Sequence, residues 1–252
     1  MTIVVCAIVK HEDAYLDEWI AYHLKLGFDA VHLYDNSDDN AAKKFQERYP
    51  GAVRVVHCPG RMRQLPTYMH YCCFSKDEWV ALLDADEFIV LKKHASIREL
   101  LAGVGDDVGA VCLNWYMFGS SGERARRPGP VLLRFRRRAA RVHPLVKSIV
   151  RPDRVLAMLN PHVPALVVGG CRDPSGRPVS GPEHHHGSAD VAVIHHYFTK
   201  SREEFVAKME RGKADLAEKR RIEEFDAHDF NDVEDDSAWR FFSAGTLTTG
   251  TR

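Results

Sequence analysis

The first half of the chain alternates between short apolar runs and amphipathic segments, and this alternation restricts the possible folds more than any other feature. The run at 3–9 is apolar at every position, which is typical of a strand buried on both faces of a sheet. The segment 13–27 has apolar residues at helical spacing and ends in a glycine, a common helix terminator. Further strands are predicted at 30–35, 52–58 and 78–91, and further helices at 40–51 and 63–76. The alternation predicts an α/β fold with a mostly parallel central sheet flanked by helices.

The second half of the chain is less regular. A long apolar strand is predicted at 108–119. A charged helix is predicted at 201–221, where Ser201 and Glu204 have the spacing of a capping box. Residues 169–189 are rich in Gly, Pro and Ser, which predicts a loop.

The composition excludes several classes of protein. With 45% hydrophobic and 28% charged residues among 252, the chain is neither disordered nor collagen-like. No apolar run approaches the roughly 18 residues that a membrane-spanning helix needs. The first apolar run lacks the basic segment that opens a signal peptide, so we expect a cytoplasmic protein. The six cysteines form no CxxC pair, which favours reduced thiols over a zinc site or a disulfide framework.

The charges balance overall but are unevenly distributed along the chain. Lys plus Arg and Asp plus Glu both number 35, so the net charge gives no general attraction to nucleic acid or to an anionic membrane. Residues 124–154 contain eleven basic residues and one acidic residue, whereas residues 202–236 contain thirteen acidic and seven basic residues. Two interpretations remain open. The segments face each other or solubilise the surface, or the basic segment lines a pocket for a phosphorylated ligand.

The sequence Asp84-Ala85-Asp86-Glu87 follows the apolar run WVALL and is the sharpest chemical signal in the chain. Ligands of open α/β sheets bind at the carboxyl ends of the strands. Two carboxylates at that edge suit Mg²⁺ or Mn²⁺ shared with substrate phosphates, and a strand-end turn with solvated acids is the alternative. Because strand-end carboxylates lie outside the core, we expect replacement of Asp86 to cost little stability.

Polar residues follow two other predicted strands. Asp35 and Asn36 end the second strand, where they could accept hydrogen bonds from a base or ribose or form a turn that caps the next helix. His195 and His196 follow an apolar run, and one of them could return as a neutral imidazole ligand to the same ion; a structural role is the alternative. Three consecutive histidines lie in the predicted loop and suggest adventitious metal binding at the surface: His184, His185 and His186.

The strand predicted at 108–119 leads through aromatic residues into Gly-Ser-Ser-Gly. This segment could form an apolar wall that stacks on a sugar, followed by a polar loop, or simply a core strand and a turn. Glu123 is the nearest acid beyond the loop and is a candidate general base.

With these segments in place, the chain resembles glycosyltransferases of the GT-A fold, most closely the family 92-type group and its relatives. The resemblance spans roughly residues 3–237. It rests on an ordered set of segments: 7–39, Arg61, Gln64, Tyr68, Cys72, 79–89, 114–122, 146–152, 195–212 and 230–237.

The resemblance implies a single GT-A domain over residues 1–237. Residues 1–106 would form the nucleotide-sugar-binding half, residues 107–237 an irregular half that serves the acceptor and completes the metal site, and residues 238–252 a flexible tail. The implied reaction is transfer of a sugar from a UDP- or GDP-linked donor to a glycan or glycoprotein hydroxyl, with inversion and with Mn²⁺ or Mg²⁺.

The resemblance also implies roles for single residues. Asp84, Asp86 and His196 would hold the metal, with Asp86 also acting in catalysis. Apart from the resemblance, we expect the catalytic base to be Glu123, with Asp173 and Glu183 as the next candidates. The donor nucleotide sugar would be bound by Lys10, Glu12, Asp35, Asn36, Arg61, Gln64, Asp84 and Lys147.

Two other functions compete with sugar transfer. A metal-dependent nucleotidyl- or phosphotransferase would use the same carboxylates but would react at phosphorus. A nucleic-acid-binding protein would use the basic segment 124–154, although that segment has little aromatic interleaving.

Overall fold

The protein is described here by a computed structural model that covers residues 1–212 and 220–244. The strands of the described residues are β1 (Ile3–Val9), β2 (Ala30–Asp35), β3 (Val53–His57), β4 (Trp79–Leu82), β5 (Glu87–Leu91), β6 (Val108–Met117), β7 (Arg137–Arg138), β8 (His143–Val150), β9 (Val155–Ala157), β10 (Ala165–Leu166), β11 (Gly170–Arg172), β12 (Ala192–His196) and β13 (Val233–Glu234). The helices are α1 (Asp13–Leu26), α2 (Lys43–Arg48), α3 (Gln64–Phe74), α4 (Ile97–Ala102), α5 (Val131–Arg134), α6 (Arg202–Arg211), α7 (Glu223–His228) and α8 (Ser237–Ser243).

The central sheet has the strand order β3-β2-β1-β4-β8-β6-β12-β5, and β11 pairs with the beginning of β6. The strands β1, β2, β3 and β4 are parallel, as the alternating sequence predicts. The α/β fold class is therefore confirmed.

The sheet is mostly parallel, as the sequence predicts, but two of its strands run in the opposite direction. β8 runs antiparallel between β4 and β6, and β5 is antiparallel to β12. Antiparallel pairing does not need a long crossover helix, and the connection from β6 to β8 contains only the four-residue helix α5. The alternation of strands and helices on which the prediction of a parallel sheet rests lies in the first half of the chain and ends before β8.

Helix α1 is fixed to the sheet by hydrogen bonds as well as by apolar packing. The indole N–H of Trp19 donates to the carbonyl oxygen of Glu87 at 2.8 Å, and the Tyr22 hydroxyl donates to that of Ile89 at 2.8 Å. Both aromatic side chains are fully buried. These bonds satisfy polar groups that would otherwise be costly inside the core, and they hold β5 next to the acidic turn.

The predicted tail begins with a helix. Residues 237–243 form α8, where Phe241 contacts Tyr22 with ring centroids 5.3 Å apart and Ala238 is buried. The aromatic residues of this segment add apolar area to the core, which explains why it is ordered. Residues 245–252 of the predicted tail lie outside the described residues, as do residues 213–219 of the helix predicted at 201–221.

The charged helix α6 begins as the sequence predicts. The Ser201 hydroxyl accepts from the backbone N–H of Glu204, and the Glu204 carboxylate accepts from the backbone N–H of Ser201. This reciprocal capping box satisfies two donors at the helix start. It positions a helix that carries two basic residues, Lys208 and Arg211, into the cavity described below.

Replacement of Ser201 tests the capping box. Ser201→Ala removes the acceptor for the Glu204 N–H, and we expect it to lower the free energy of unfolding by about 1 kcal/mol. Urea denaturation measures the loss, with Ser180→Ala, an exposed loop serine, as the matched control. Equal stability of the two variants would show that the cap contributes nothing.

Candidate active site

A cavity of about 420 Å³ lies at one edge of the central sheet. The parallel strands β1, β4, β6 and β12 all end there. This is the edge at which ligands of α/β sheets bind. The residues that line the cavity are Ile8, Lys10, Glu12, Gln64, Asp84, Ala85, Asp86, Trp115, Met117, His143, Leu145, Lys147, Pro161, His162, His196, Phe198, Lys208, Arg211, Gly212, Arg220, Glu224 and His228.

Asp84 faces donors from two distant parts of the chain. Lys147 Nζ lies 3.0 Å from Asp84 Oδ2, and Gln64 Nε2 donates to Asp84 Oδ1 at 2.9 Å. Partial burial would raise the pKa of Asp84, but the Lys147 ammonium outweighs it, and the pKa lies below its usual value. Asp84 is therefore ionised at neutral pH.

Asp86 is buried and faces three basic groups. Lys208 Nζ donates to Asp86 Oδ2 at 2.6 Å, His196 Nε2 lies 3.4 Å from Oδ1, and Lys200 Nζ lies 3.9 Å from Oδ2. Burial would raise the pKa of Asp86, but Lys208 and the other two basic groups hold it well below its usual value. The expectation that this carboxylate lies outside the core was wrong, because only 4% of the residue is exposed.

Glu87, the third acid of the segment, supports the turn. Its Oε2 accepts the backbone N–H of Asp84 at 2.9 Å, and its side chain is fully buried. Burial raises the pKa of Glu87 well above its usual value, despite Lys147 Nζ at 3.7 Å. We infer that Glu87 fixes the geometry of the turn, whereas Asp84 and Asp86 line the cavity.

The two adjacent histidines point to opposite faces of β12, as successive residues of a strand do. His196 lines the cavity, and its ring lies 4.6 Å from that of Trp115. His195 is buried against Phe118, with ring centroids 4.6 Å apart. Burial lowers the pKa of His195 to about 3 and also lowers that of His196, so both imidazoles are neutral at pH 7.

The basic helix α6 contributes a third set of charges. Arg211 pairs with Glu12 and donates to the backbone carbonyl of His11 at 3.1 Å. Burial lowers the pKa of Lys208 to about 8, although Asp86 opposes the shift. Sequence reasoning missed Lys208 and Arg211. Their spacing of three residues places them on one helix face, and that spacing was the available signal.

Asp35 and Asn36 are absent from the cavity wall and hold a loop. Asp35 accepts the backbone N–H groups of Ser37 at 2.9 Å and Ala42 at 2.8 Å, the second of which lies at the start of α2. Asn36 donates to the carbonyl oxygens of Cys58 and Gly60, each at 2.8 Å. This is the turn-forming role that the sequence alone allowed.

The other predicted donor-binding residues divide between cavity and surface. Lys10, Glu12, Gln64 and Lys147 line the cavity, whereas Arg61 is exposed and does not.

The structure places none of the three candidate bases in the cavity wall. Glu123 Oε2 lies 2.9 Å from Nη2 of Arg134. Asp173 Oδ2 lies 3.2 Å from Nε2 of His184, and Glu183 Oε2 lies 3.0 Å from Nε2 of His185. Each carboxylate is therefore engaged by a basic side chain of its own loop or of a neighbouring element.

Most of the basic segment 124–154 does not line the cavity. Of its eleven basic residues, Lys147 alone does so. Arg134 lies 2.7 Å from Glu204, Arg138 lies 2.8 Å from Asp235, and Arg136 pairs with Glu234 at 3.8 Å. Of the two open interpretations, the structure supports the one in which the basic and acidic segments face each other.

Metal-ligating side chains are only partly assembled. Within residues 1–212 and 220–244, no three His, Cys, Asp or Glu side chains form a group that could hold a metal ion by themselves. Asp86 and His196 are adjacent, but Asp84 faces Lys147 and Gln64. The six cysteines are free, as the sequence predicts. The described helices include none with the length and apolar character needed to cross a membrane.

The pair Asp86–Lys208 predicts a non-additive effect on stability. Asp86→Ala leaves Lys208 buried without its closest partner, and we expect a loss of about 3 kcal/mol in the free energy of unfolding. Lys208→Met should cost less, because Lys200 and His196 remain beside Asp86.

The double variant Asp86→Ala/Lys208→Met should be more stable than Asp86→Ala alone, because the Lys208 ammonium is no longer buried without its carboxylate. Urea denaturation of the four proteins measures the coupling. Losses that simply add would contradict the view that these two charges stabilise each other.

Comparison with known proteins agrees with the resemblance seen in the sequence. The model of glycosyltransferase family 92 matches residues 1–232. A family 92 protein of Arabidopsis thaliana is 27% identical over 224 residues, which cover 82% of this chain and 37% of that protein. One from Oryza sativa subsp. japonica is 26% identical over 156 residues, which cover 59% of this chain and 26% of that protein. The chain thus spans about a quarter to a third of the length of these relatives.

Solved structures are similar only at a distance. Staphylococcus aureus TarS 1–349 in complex with UDP is 15% identical, with a TM-score of 0.39 over 60% of this chain and 47% of that one. The mannosyltransferase PcManGT of Pyrobaculum calidifontis in complex with GDP-Man and Mn²⁺ is 20% identical, with a TM-score of 0.32 over 50% of this chain and 36% of that one. The family match, which covers most of the chain, decides the assignment: the chain belongs to glycosyltransferase family 92.

Proposed function

We propose that the protein transfers a sugar from a nucleoside-diphosphate sugar to an acceptor hydroxyl with inversion, assisted by a divalent cation. The observation that carries this proposal is the pair of ionised carboxylates, Asp84 and Asp86, in the wall of a cavity at the carboxyl edge of the sheet. Membership of glycosyltransferase family 92 supports the reaction class.

The donor set fits a divalent cation that shares its coordination with phosphate oxygens. Mg²⁺ and similar ions are commonly held by one or two carboxylates together with substrate phosphates, so a complete cage of protein ligands is not required. Asp84 and Asp86 would supply the carboxylates. His196 is the third candidate, because it is neutral and its buried Nδ1 has no hydrogen-bond partner among the described residues. Such a cation would neutralise charge on the departing nucleoside diphosphate.

The chain's own cations complement the same diphosphate. Lys147 and Lys208 reach the cavity from β8 and α6, and Arg211 and Arg220 lie on its wall. In the structure Lys147 and Lys208 are paired with the two aspartates. A bound diphosphate offers these ammonium groups an alternative anion and would leave the aspartates free for the cation. The diphosphate of the donor would thus be bound both by the divalent cation and by the basic side chains of the cavity.

Nucleotide binding tests the donor and the cation together. We expect UDP or GDP with MnCl₂ to raise the melting temperature, because a ligand that binds only the native state stabilises it. The shift should fall in EDTA and in Asp84→Asn/Asp86→Asn. Asp38→Asn, a change in an exposed loop residue, is the matched control. Equal shifts with and without EDTA would remove the cation from the proposal.

Labelled donors distinguish sugar transfer from a reaction at phosphorus, because a different part of the donor reaches the acceptor in each case. With a donor labelled in the sugar, we expect label in the acceptor and unlabelled nucleoside diphosphate as the second product. Transfer of label from a ³²P-labelled donor phosphate to the acceptor would instead identify a nucleotidyl- or phosphotransferase.

The two adjacent histidines provide a matched pair of variants. His196→Leu should weaken Mn²⁺ binding in the presence of UDP or GDP by at least tenfold, because it removes a candidate ligand that lines the cavity. His195→Leu should leave Mn²⁺ affinity unchanged, because that ring packs on Phe118. Titration calorimetry gives both affinities. The assignment of His196 fails if both variants bind Mn²⁺ as the wild type does.

A further inference from the structure

A group of aromatic residues lines the part of the cavity beside the acidic turn. His143 stacks on Trp115 with ring centroids 5.6 Å apart and an interplanar angle of 25°. His162 lies against the same indole at 5.6 Å, and Leu145 and Pro161 complete this wall. The same indole contacts His196, with ring centroids 4.6 Å apart, and His196 in turn contacts Asp86. This wall is therefore connected to Asp86, in the proposed donor site, through His196.

Backbone groups fix the proton positions on the two outer rings. His162 Nδ1 lies 2.9 Å from the carbonyl oxygen of Val146, which only accepts hydrogen bonds. The neutral ring therefore carries its proton on Nδ1 and presents Nε2 as an acceptor. His143 Nδ1 accepts the backbone N–H of Leu145 at 3.2 Å. The neutral ring of His143 therefore carries its proton on Nε2 and presents a donor. The wall therefore offers one hydrogen-bond acceptor, His162 Nε2, and one donor, the Nε2–H of His143. Each tautomer is fixed by a hydrogen bond to the main chain.

The segment that carries His162 is held in place. Asn160 Oδ1 accepts the backbone N–H groups of both His162 and Val163 at 2.9 Å, which forms a tight turn. The Ser148 hydroxyl donates to the carbonyl oxygen of His162 at 2.6 Å. A side chain whose backbone and second ring nitrogen are both fixed is positioned in advance for proton transfer.

The carboxylates of the cavity wall are all engaged by other groups. Asp84 and Asp86 face Lys147 and Lys208, and Glu12 pairs with Arg211. Glu224 accepts the backbone N–H of Arg221 at 3.1 Å. A carboxylate held by a cation is a weaker base than a neutral imidazole with an unshared nitrogen lone pair.

We propose that His162 is the general base of the transfer reaction and that His143 orients the acceptor by donating a hydrogen bond to it. The inference rests on the proposed function. Nε2 of His162 takes the proton of the acceptor hydroxyl, and the acceptor oxygen forms a bond to the anomeric carbon. The bond from that carbon to the phosphate oxygen breaks, and its electron pair leaves with the nucleoside diphosphate. Burial lowers the pKa of His162, and nearby Lys147 opposes protonation further, so the ring is neutral at pH 7.

An anionic nucleophile tests the base directly, because azide has no proton to lose. The substitution is His162→Gln, whose amide N–H can still donate to the Val146 carbonyl but offers no basic nitrogen. Donors are UDP-glucose, UDP-galactose and GDP-mannose, and acceptors are para-nitrophenyl glycosides or sodium azide. We expect kcat for hydroxyl acceptors to fall by about 10²- to 10⁴-fold, while transfer to azide stays within threefold of the wild type.

His143→Gln is the matched control, since it changes the other histidine on the same indole. It should raise the acceptor KM and lower kcat by less than tenfold. Wild-type kcat in His162→Gln, or equal loss of azide transfer, would overturn the role of His162. If the wild type releases no nucleoside diphosphate from any of these donors, the proposed function itself is rejected. A calorimetric titration of each variant with UDP or GDP checks that its site is folded.

Discussion

Two ammonium groups inside the protein are stabilised by two carboxylates at one edge of the central sheet, and the active-site cavity depends on these pairs. Lys147 lies against Asp84 and Lys208 against Asp86, and the side chains of both lysines are almost fully buried. A buried charge without a partner would cost several kcal/mol. The acidic turn, β8 and α6 must therefore come together for any of these charges to be tolerated. The same requirement gathers distant parts of the chain around one cavity.

This arrangement also links stability to ligand binding. Paired charges keep Asp84 and Asp86 ionised, and their lysine partners are cations already in position to bind an anion. In the proposed reaction, a diphosphate and a divalent cation would replace these internal partners with external ones. The aromatic wall formed by Trp115, His143 and His162 lies next to this charged region and is proposed to receive the acceptor. Donor chemistry and acceptor chemistry would thus occupy adjacent parts of one cavity.

The sequence predicted the parts of the fold and site that local pattern determines. Strand β1, helix α1, the turn at Asp84–Glu87 and the capping box of α6 each follow from periodicity or spacing. The antiparallel β8 was not predictable in this way, because its pairing is decided by long-range contacts. The pairing of Asp86 with Lys208 was missed for the same reason, since Lys208 lies 122 residues further along the chain. The sequence allowed two roles for Asp35, in binding a nucleoside or in forming a turn. Its hydrogen-bond partners in the folded chain, the backbone N–H groups of Ser37 and Ala42, are those of a turn former.

In the proposed function, the donor binds beside Asp84 and Asp86. Hydrogen–deuterium exchange with UDP or GDP and MnCl₂ tests it most directly, because bound ligand slows local opening of the backbone. We expect slower exchange in residues 82–88, 195–200 and 208–212, which surround the acidic turn. A second cavity, lined by Lys43, Gln46 and Arg54 among others, lies along β3. Protection confined to that cavity, with unchanged exchange at the acidic turn, would show that the donor does not bind beside Asp84 and Asp86.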